Sequence, residues 1–263
     1  GDHRDLHLSI RRQRQMCIRD RNITDSLKNI KSGMVVTAHP DDAEYGCSGT
    51  VAKLANNGSD MVYVLCTDGS KGTEDKNLSP EKLAKIRNTE QLNAGKVLGL
   101  KDVVFLGYPD AYLVPSLDVR KDIARQIRIY QPEILICQYP MRNLDGSWGF
   151  GHPDHIAAGE AAMAAVFPTA RDHKTFPDLY DKENLEPHKV EEVWIMGHPD
   201  PDIIVDITDT MDQSIDALYC HKSQMAGRTK DEVKERVGEW RKNRGREEGM
   251  TYADTFKRIS LRN

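Results

Sequence analysis

Two short stretches, Ala38-His39-Pro40-Asp41-Asp42-Ala43-Glu44 and Gly151-His152-Pro153-Asp154-His155, collect imidazoles and carboxylates at the spacing of metal ligands. Catalytic zinc takes three protein ligands from His, Asp and Glu and keeps a fourth position for water. His39, Asp42 and His155 supply such a set, split between the two stretches. Water activated there needs a base, and Asp41 stands beside a ligand without having to be one. His152 precedes His155 by three residues, so both imidazoles project from one side if this segment opens a helix. One can bind metal while the other donates a proton. Pro40 and Pro153 hold the residue before each of them extended, which stiffens both turns. Taken singly, Asp-Asp after a strand reads as a turn or helix cap, and His-Pro-Asp as surface loop. Their combination is much harder to explain by capping.

The elements that must position these residues follow from apolar periodicity. Strands are expected at 34–38, 61–67, 103–106 and 133–137, then near 192–197 and 203–207. Helices are expected at 48–57, 80–98, 116–130, about 153–166, 208–221 and 229–242, the second opened by the cap-plus-proline pair Ser79-Pro80. Such alternation implies βαβ crossovers and an α/β, Rossmann-like three-layer fold with a mostly parallel sheet. Sheets of this kind put their chemistry at the carboxyl ends of the strands, where the first metal stretch falls.

With 38% hydrophobic and 30% charged residues over 263, the chain has ordinary globular composition, and its net charge of −4 argues against a nucleic-acid partner. Five dispersed cysteines (Cys17, Cys47, Cys66, Cys137, Cys220) form no Cys-x-x-Cys pair, so neither a disulfide framework nor a thiolate zinc site is expected. A reducing cytoplasm fits this usage. No apolar run approaches a bilayer span and no signal-peptide h-region opens the chain, so no membrane is expected as partner. The basic run Arg11–Arg21 lacks periodicity and resembles translated adapter sequence; the alternative is a basic arm touching an acidic partner or a neighbouring subunit. No linker or repeat divides the remainder, which reads as one domain, and its amphipathic carboxyl-terminal segment points to a homo-oligomer.

The two stretches, in this order and after successive strands, resemble the motifs of the PIG-L, or LmbE-like, zinc-dependent N-deacetylases. The likeness runs from about Met34 to the carboxyl end, through Thr67-Asp68-Gly69, Arg87 to Gly99, Leu106-Gly107-Tyr108-Pro109-Asp110 and Cys220-His221-Lys222-Ser223-Gln224. It implies a domain over 31–263, with 1–30 an extension outside the family, disordered or an artefact. The resemblance also implies a Zn2+ cofactor on His39, Asp42 and His155. In it Asp41 is the general base, and His152 is the acid that stabilises the tetrahedral intermediate as an imidazolium and protonates the departing amine. Asp154 would orient or charge the neighbouring histidine, although a carboxylate at a helix amino terminus looks the same in sequence. Arg87 matches a family position whose guanidinium reaches sugar hydroxyls or a phosphate, and Asp110 one that contacts substrate hydroxyls. Read without the resemblance, Arg87 belongs to a solvated helix face with Glu90 as partner, and Asp110 to a turn. Glu44 and His221 read as structural and His198 as an exposed turn. The Gly-rich, aromatic loop Asn143–Gly151 either lines a sugar site or merely connects.

The implied activity is hydrolytic removal of the N-acetyl group from a small amino-sugar substrate of the N-acetylglucosamine type. Amidases acting on thiol conjugates share the same motifs, so the acyl group and aglycone stay open. A nucleotide-binding module is the non-hydrolytic alternative, but the turn after the first strand carries two carboxylates where a phosphate cradle needs G-x-G-x-x-G. A metal-binding protein without activity is a further alternative, at odds with the retention of Asp41 and His152.

Overall fold

The structure, a computed structural model, describes residues 22–144 and 151–261. The run Arg11–Arg21 and the centre of the Asn143–Gly151 loop, residues 145–150, lie outside the described residues. In chain order the main elements are β1 (Ser32–Thr37), α1 (Asp42–Gly46), α2 (Ser48–Asn56), β2 (Asp60–Thr67), α3 (Pro80–Leu98), β3 (Asp102–Tyr108), α4 (Leu117–Tyr130) and β4 (Ile134–Gln138). They continue with α5 (Pro153–Val166), α6 (Asp178–Asp181), β5 (Glu192–Met196), β6 (Ile203–Asp206), α7 (Met211–Leu218), α8 (Lys230–Gly245) and β7 (Ala253–Ser260).

β1, β2 and β4 are nearly continuous apolar runs because both faces of each are covered, the usual state of parallel strands inside a three-layer fold. Val35, Tyr63, Leu65 and Ile136 pack against α2, α3, α7 and α8 on one face of the sheet. Met34, Val36, Val64 and Leu135 pack against α4 and α5 on the other. The seven strands run in the order β3-β2-β1-β4-β5-β7-β6. The pairs β3-β2, β2-β1, β1-β4 and β4-β5 are parallel, whereas β7 is antiparallel to both β5 and β6. The mostly parallel sheet expected from the alternation is present. β7 was not expected: its apolar residues Phe256 and Ile259 are separated by Lys257 and Arg258, which hides the strand pattern.

Residues 22–30, placed by the sequence reading in the amino-terminal extension, pack into the domain. Leu27 is fully buried, Ile23 N donates to Ile204 O, and Asp206 N donates to Thr24 Oγ1. Among the described residues no helix is long and apolar enough to cross a membrane.

The connections leaving β1 and β4 diverge, since β1 leads to β2 on one side and β4 to β5 on the other. This is the topological switch point at which open α/β sheets bind their ligands, and both metal stretches emerge there. Helix α5 must come close to β4 to bring its amino terminus over the crevice. A Cβ on Gly159 would sit 2.2 Å from the Gln138 carbonyl oxygen, so only glycine permits the approach. We expect Gly159→Ala to push α5 off the sheet and to destabilise the fold by about 1–3 kcal/mol, read as a lowered urea midpoint with an unchanged slope.

Candidate metal centre and active site

Immediately after β1 the chain is fixed before it turns. Ala38 N donates to Gln138 Oε1 at 2.9 Å, and Ala38 O accepts from Thr67 N and Thr67 Oγ1 at 2.8 and 2.9 Å. His39 N then donates to Asp42 Oδ2 at 2.7 Å, which closes the turn on its own carboxylate. Asp41, at the start of α1, has φ 89°, a left-handed conformation costly for a side chain with a Cβ. Three contacts hold it there. Asp41 N donates to Gln91 Oε1 at 3.1 Å, while Arg87 Nη2 donates to Pro40 O at 2.5 Å and to Asp41 Oδ1 at 3.3 Å.

The turn and the start of α5 bring three candidate ligands to one point, with both oxygens of Asp42 in reach. His39 Nδ1 lies 3.3 Å from both Asp42 Oδ2 and His155 Nε2, and His155 Nε2 lies 3.1 Å from Asp42 Oδ1. Bonds of about 2.0–2.1 Å in a tetrahedral site place ligands about 3.4 Å apart, so the donor set fits a divalent cation of zinc's size. The opposite nitrogen, His39 Nε2, is 3.0 Å from Asp110 Oδ1 and 3.2 Å from Asp154 Oδ2. A carboxylate accepting Nε2–H leaves the lone pair on Nδ1 facing Asp42 and His155, the tautomer a metal ligand needs. Without a cation the same carboxylates favour the imidazolium, whose Nδ1 proton a bound metal ion would displace. Burial alone would lower the His39 pKa, but Asp110 and Asp42 push it up to about 10. Burial would likewise raise Asp42, yet His155 and His39 hold it well below the carboxylate range. A position that attracts positive charge this strongly suits a dication.

The side chains named from the sequence fall as follows. Asp154 meets its neighbour His152 through its backbone N–H, while its buried carboxylate accepts from Ala111 N at 2.7 Å and Leu113 N at 3.2 Å and aims at His39. Asp110 is nearly buried, with Oδ2 accepting from Lys71 N at 2.8 Å, so its carboxylate is engaged by the protein before any substrate hydroxyl. Arg87 is 4% exposed, not on a solvated face, and its fork is spent on Pro40 O, Asp41 and Gly69 O. Glu90, the partner expected for it, instead accepts from Ser223 N and Oγ, both at 2.7 Å. His152 caps α5, its Nδ1 accepting from Asp154 N at 3.1 Å. With Nδ1 an acceptor the ring is neutral and carries its proton on Nε2, and burial together with His39 and His155 lowers its pKa. In this arrangement a second ring proton would face the Asp154 N–H. Glu44 and His221 are fully buried 3.4 Å apart. His198 is half-buried with its ring against Tyr139.

Sequence reasoning missed two glutamines. Gln91 accepts from Asp41 N and donates to Glu44 Oε1 at 2.9 Å, and Gln138 joins the loops after β1 and β4. The available signal was spacing: Gln91 lies four residues beyond Arg87 on the same helix face.

Two cavities flank the centre. The smaller, about 290 Å³, is lined by His39, Asp41, His152 and His155 together with Lys71, Arg87, Asp110 and Gln224. The larger, about 810 Å³, opens on the other side and shares His155 as a wall.

Residues 34–166 match the family profile described as PIG-L, GlcNAc-PI de-N-acetylase. Diacetylchitobiose deacetylase of Thermococcus kodakarensis is 34% identical over 205 residues, 78% of this chain and 74% of that protein. A probable N-acetyl-alpha-D-glucosaminyl L-malate deacetylase 2 of Bacillus anthracis is 30% identical over 207 residues, 76% of this chain and 84% of that protein. Among solved structures, N,N'-diacetylchitobiose deacetylase from Pyrococcus horikoshii superposes with a TM-score of 0.81 at 29% identity, covering 89% of this chain and 85% of that one.

Because Asp154 holds the His39 tautomer, Asp154→Asn is expected to lower metal affinity about 10–100-fold. Competition against a chelator of known affinity measures it, and an affinity equal to wild type would remove Asp154 from this role.

Proposed function

This chain belongs to the PIG-L family, and from that premise we propose that it hydrolyses the N-acetyl group of an N-acetylglucosamine-type sugar, releasing acetate and the free amine, with Zn2+ on His39, Asp42 and His155. The observation that carries the reading is the convergence of those three side chains, with nitrogens and carboxylate oxygens 3.1–3.3 Å apart, beside a cavity that His39 and His155 line together with Asp41 and His152. Imidazole and carboxylate donors at tetrahedral spacing favour zinc, while ferrous iron or cobalt would use the same set. A cation bound there supplies Lewis-acid polarisation of the amide carbonyl and a more acidic water.

The chain's own residues do the rest. Asp41 accepts the proton of the attacking water as the oxygen bonds to the carbonyl carbon. One of its oxygens is tied to Arg87, which orients the other. Burial raises its pKa to about 6, against the lowering by Arg87, so it is ionised at neutral pH yet basic enough to take a proton. Across the cavity His152 presents Nε2–H to the oxygen on which negative charge develops. As the C–N bond breaks, the proton held on Asp41 passes to the departing nitrogen, which leaves the carboxylate and the neutral imidazole ready for another turnover. Lys71, Arg87, Asp110 and Gln224 give the smaller cavity the polar lining that suits a hydroxyl-rich sugar. We assign residues 22–261 to a single deacetylase domain, supported by the burial of Ile23 and Leu27 in its core. Free cysteines at 47, 66, 137 and 220 support a cytoplasmic setting.

Acetate release from purified, zinc-loaded protein on a panel of N-acetylglucosamine glycosides tests the reading. Asp41→Asn, which tolerates a left-handed backbone better than alanine would, should keep its metal and lose about 10²–10⁴-fold in kcat. A metal-replete variant with wild-type kcat would refute the assignment of the base. The acid limb of kcat/KM should fall at or below pH about 6, since protonated Asp41 cannot accept a proton and a bound cation draws its pKa further down. Chelation should abolish turnover and zinc restore it.

A further inference from the structure

The larger cavity is not needed to cleave an acetamide, and its chemistry differs from that of the smaller one. Its outer wall is α8 and the segment before it. Arg236, Trp240 and Arg244 follow one another at four-residue intervals on that helix, so they share one face, and all three line the cavity. Arg228, just before the helix, adds a third guanidinium, and Tyr45 stands opposite with its ring 6.2 Å from that of Trp240. Among the described lining residues the only carboxylate is Asp42, already committed with His155 to the three-donor centre.

None of the three arginines forms an ion pair among the described residues. The carboxylate that acts on Arg244 is Asp254, which is already engaged by Arg241 Nε at 3.4 Å. Arg228 donates only to the Met225 carbonyl, at 3.3 Å. Glu232 acts on Arg228 through charge alone. Guanidinium groups gathered in a concave site beside aromatic faces, with no ion pair among the described residues, are complementary to a carboxylate or a phosphate. His155 lines both cavities, so a ligand whose acetamide sits at the three-donor centre has a direct route from one to the other.

We propose that the 810 Å³ cavity seats an anionic group, carboxylate or phosphate, carried by the substrate beyond its N-acetylated sugar. This rests on the deacetylase reading for the sugar, while the recognition of the anion rests on Arg228, Arg236 and Arg244. The neutral aglycones of a simple glycoside or a second sugar would leave these guanidinium groups unmatched.

Three ligands differing in charge test it: the methyl α-glycoside of N-acetylglucosamine, its carboxymethyl α-glycoside, and N-acetyl-α-glucosamine 1-phosphate. Calorimetric Kd values on zinc-loaded Asp41→Asn protein keep the ligands intact. At least one anionic ligand should bind about 10-fold or more tightly than the methyl glycoside, the scale of a charge-assisted hydrogen bond. That ratio should shrink with added salt. It should also fall about 10-fold in Arg236→Ala, where the side chain is exposed, and in Arg244→Gln, where it is half-buried. Which of the two anionic ligands leads decides between carboxylate and phosphate. Equal binding of all three ligands, or a preference that survives in both variants, overturns the proposal. Acetate release by active protein on the same panel separates the two readings. Turnover of all three without an anion preference would sink the anion site and leave the deacetylase. Anion-selective binding with no acetate from any ligand would do the reverse.

Discussion

Everything at the centre depends on His39 having its two ring nitrogens committed in opposite directions. Nδ1 faces Asp42 and His155, while Nε2 is caught between Asp110 and Asp154. A neutral imidazole has one proton, and two carboxylates on one side decide where it goes. Those carboxylates are themselves held by backbone N–H groups of Lys71, Ala111 and Leu113, in the connections after β2 and β3. Asp68 continues the chain, accepting from Asp110 N at 3.2 Å. The loops of three parallel strands thus converge on the orientation of a single ring.

A second set of contacts, on the other flank of the turn, belongs to Asp41. Gln91 bridges its backbone to Glu44, and Glu44 is neighboured by His221, both with no exposure to solvent. Arg241 Nη2 donates to Glu44 O at 3.0 Å and Nη1 to Ser214 Oγ at 2.6 Å. This network holds its deeply buried charges in opposite pairs, Glu44 with His221 and Asp254 with Arg241, which offsets the cost of taking them out of water. Its product here is a left-handed aspartate whose carboxylate faces the cavity rather than solvent.

Much of this was legible in the sequence because the signal was local. Apolar runs marked β1 and β4, and His39, Asp42 and His155 lie at the ends of those strands or one turn into a helix, so motif and topology agreed. What escaped was relational. Arg87 looks like any arginine on a charged helix until Pro40, Asp41 and Gly69 are brought around it, and nothing in its own surroundings in the chain points to them. Asp154 was read with its neighbours in sequence, whereas its partner is 115 residues away. β7 was hidden because the adjacent charges Lys257 and Arg258 break up its apolar residues, and Asp254 within it is buried by pairing rather than by hydrophobicity.

The division of labour along the chain has a consequence for how the protein can change. His39, Asp41, Asp42, Arg87, Gln91, Asp110, His152, Asp154 and His155 all lie within residues 34–166, the span that matches the family profile. The arginine face of the larger cavity comes from α8, beyond that span. Inheritance can therefore rewrite the cavity wall by point changes at 236, 240 and 244 without disturbing the reaction centre. One restriction applies: Arg241 shares that helix and bolts it to Glu44, Ser48 and Asp254. Diversification on α8 is thus confined to one side of a helix whose other side is fixed, and a transplanted helix would function only if it brought this arginine in register.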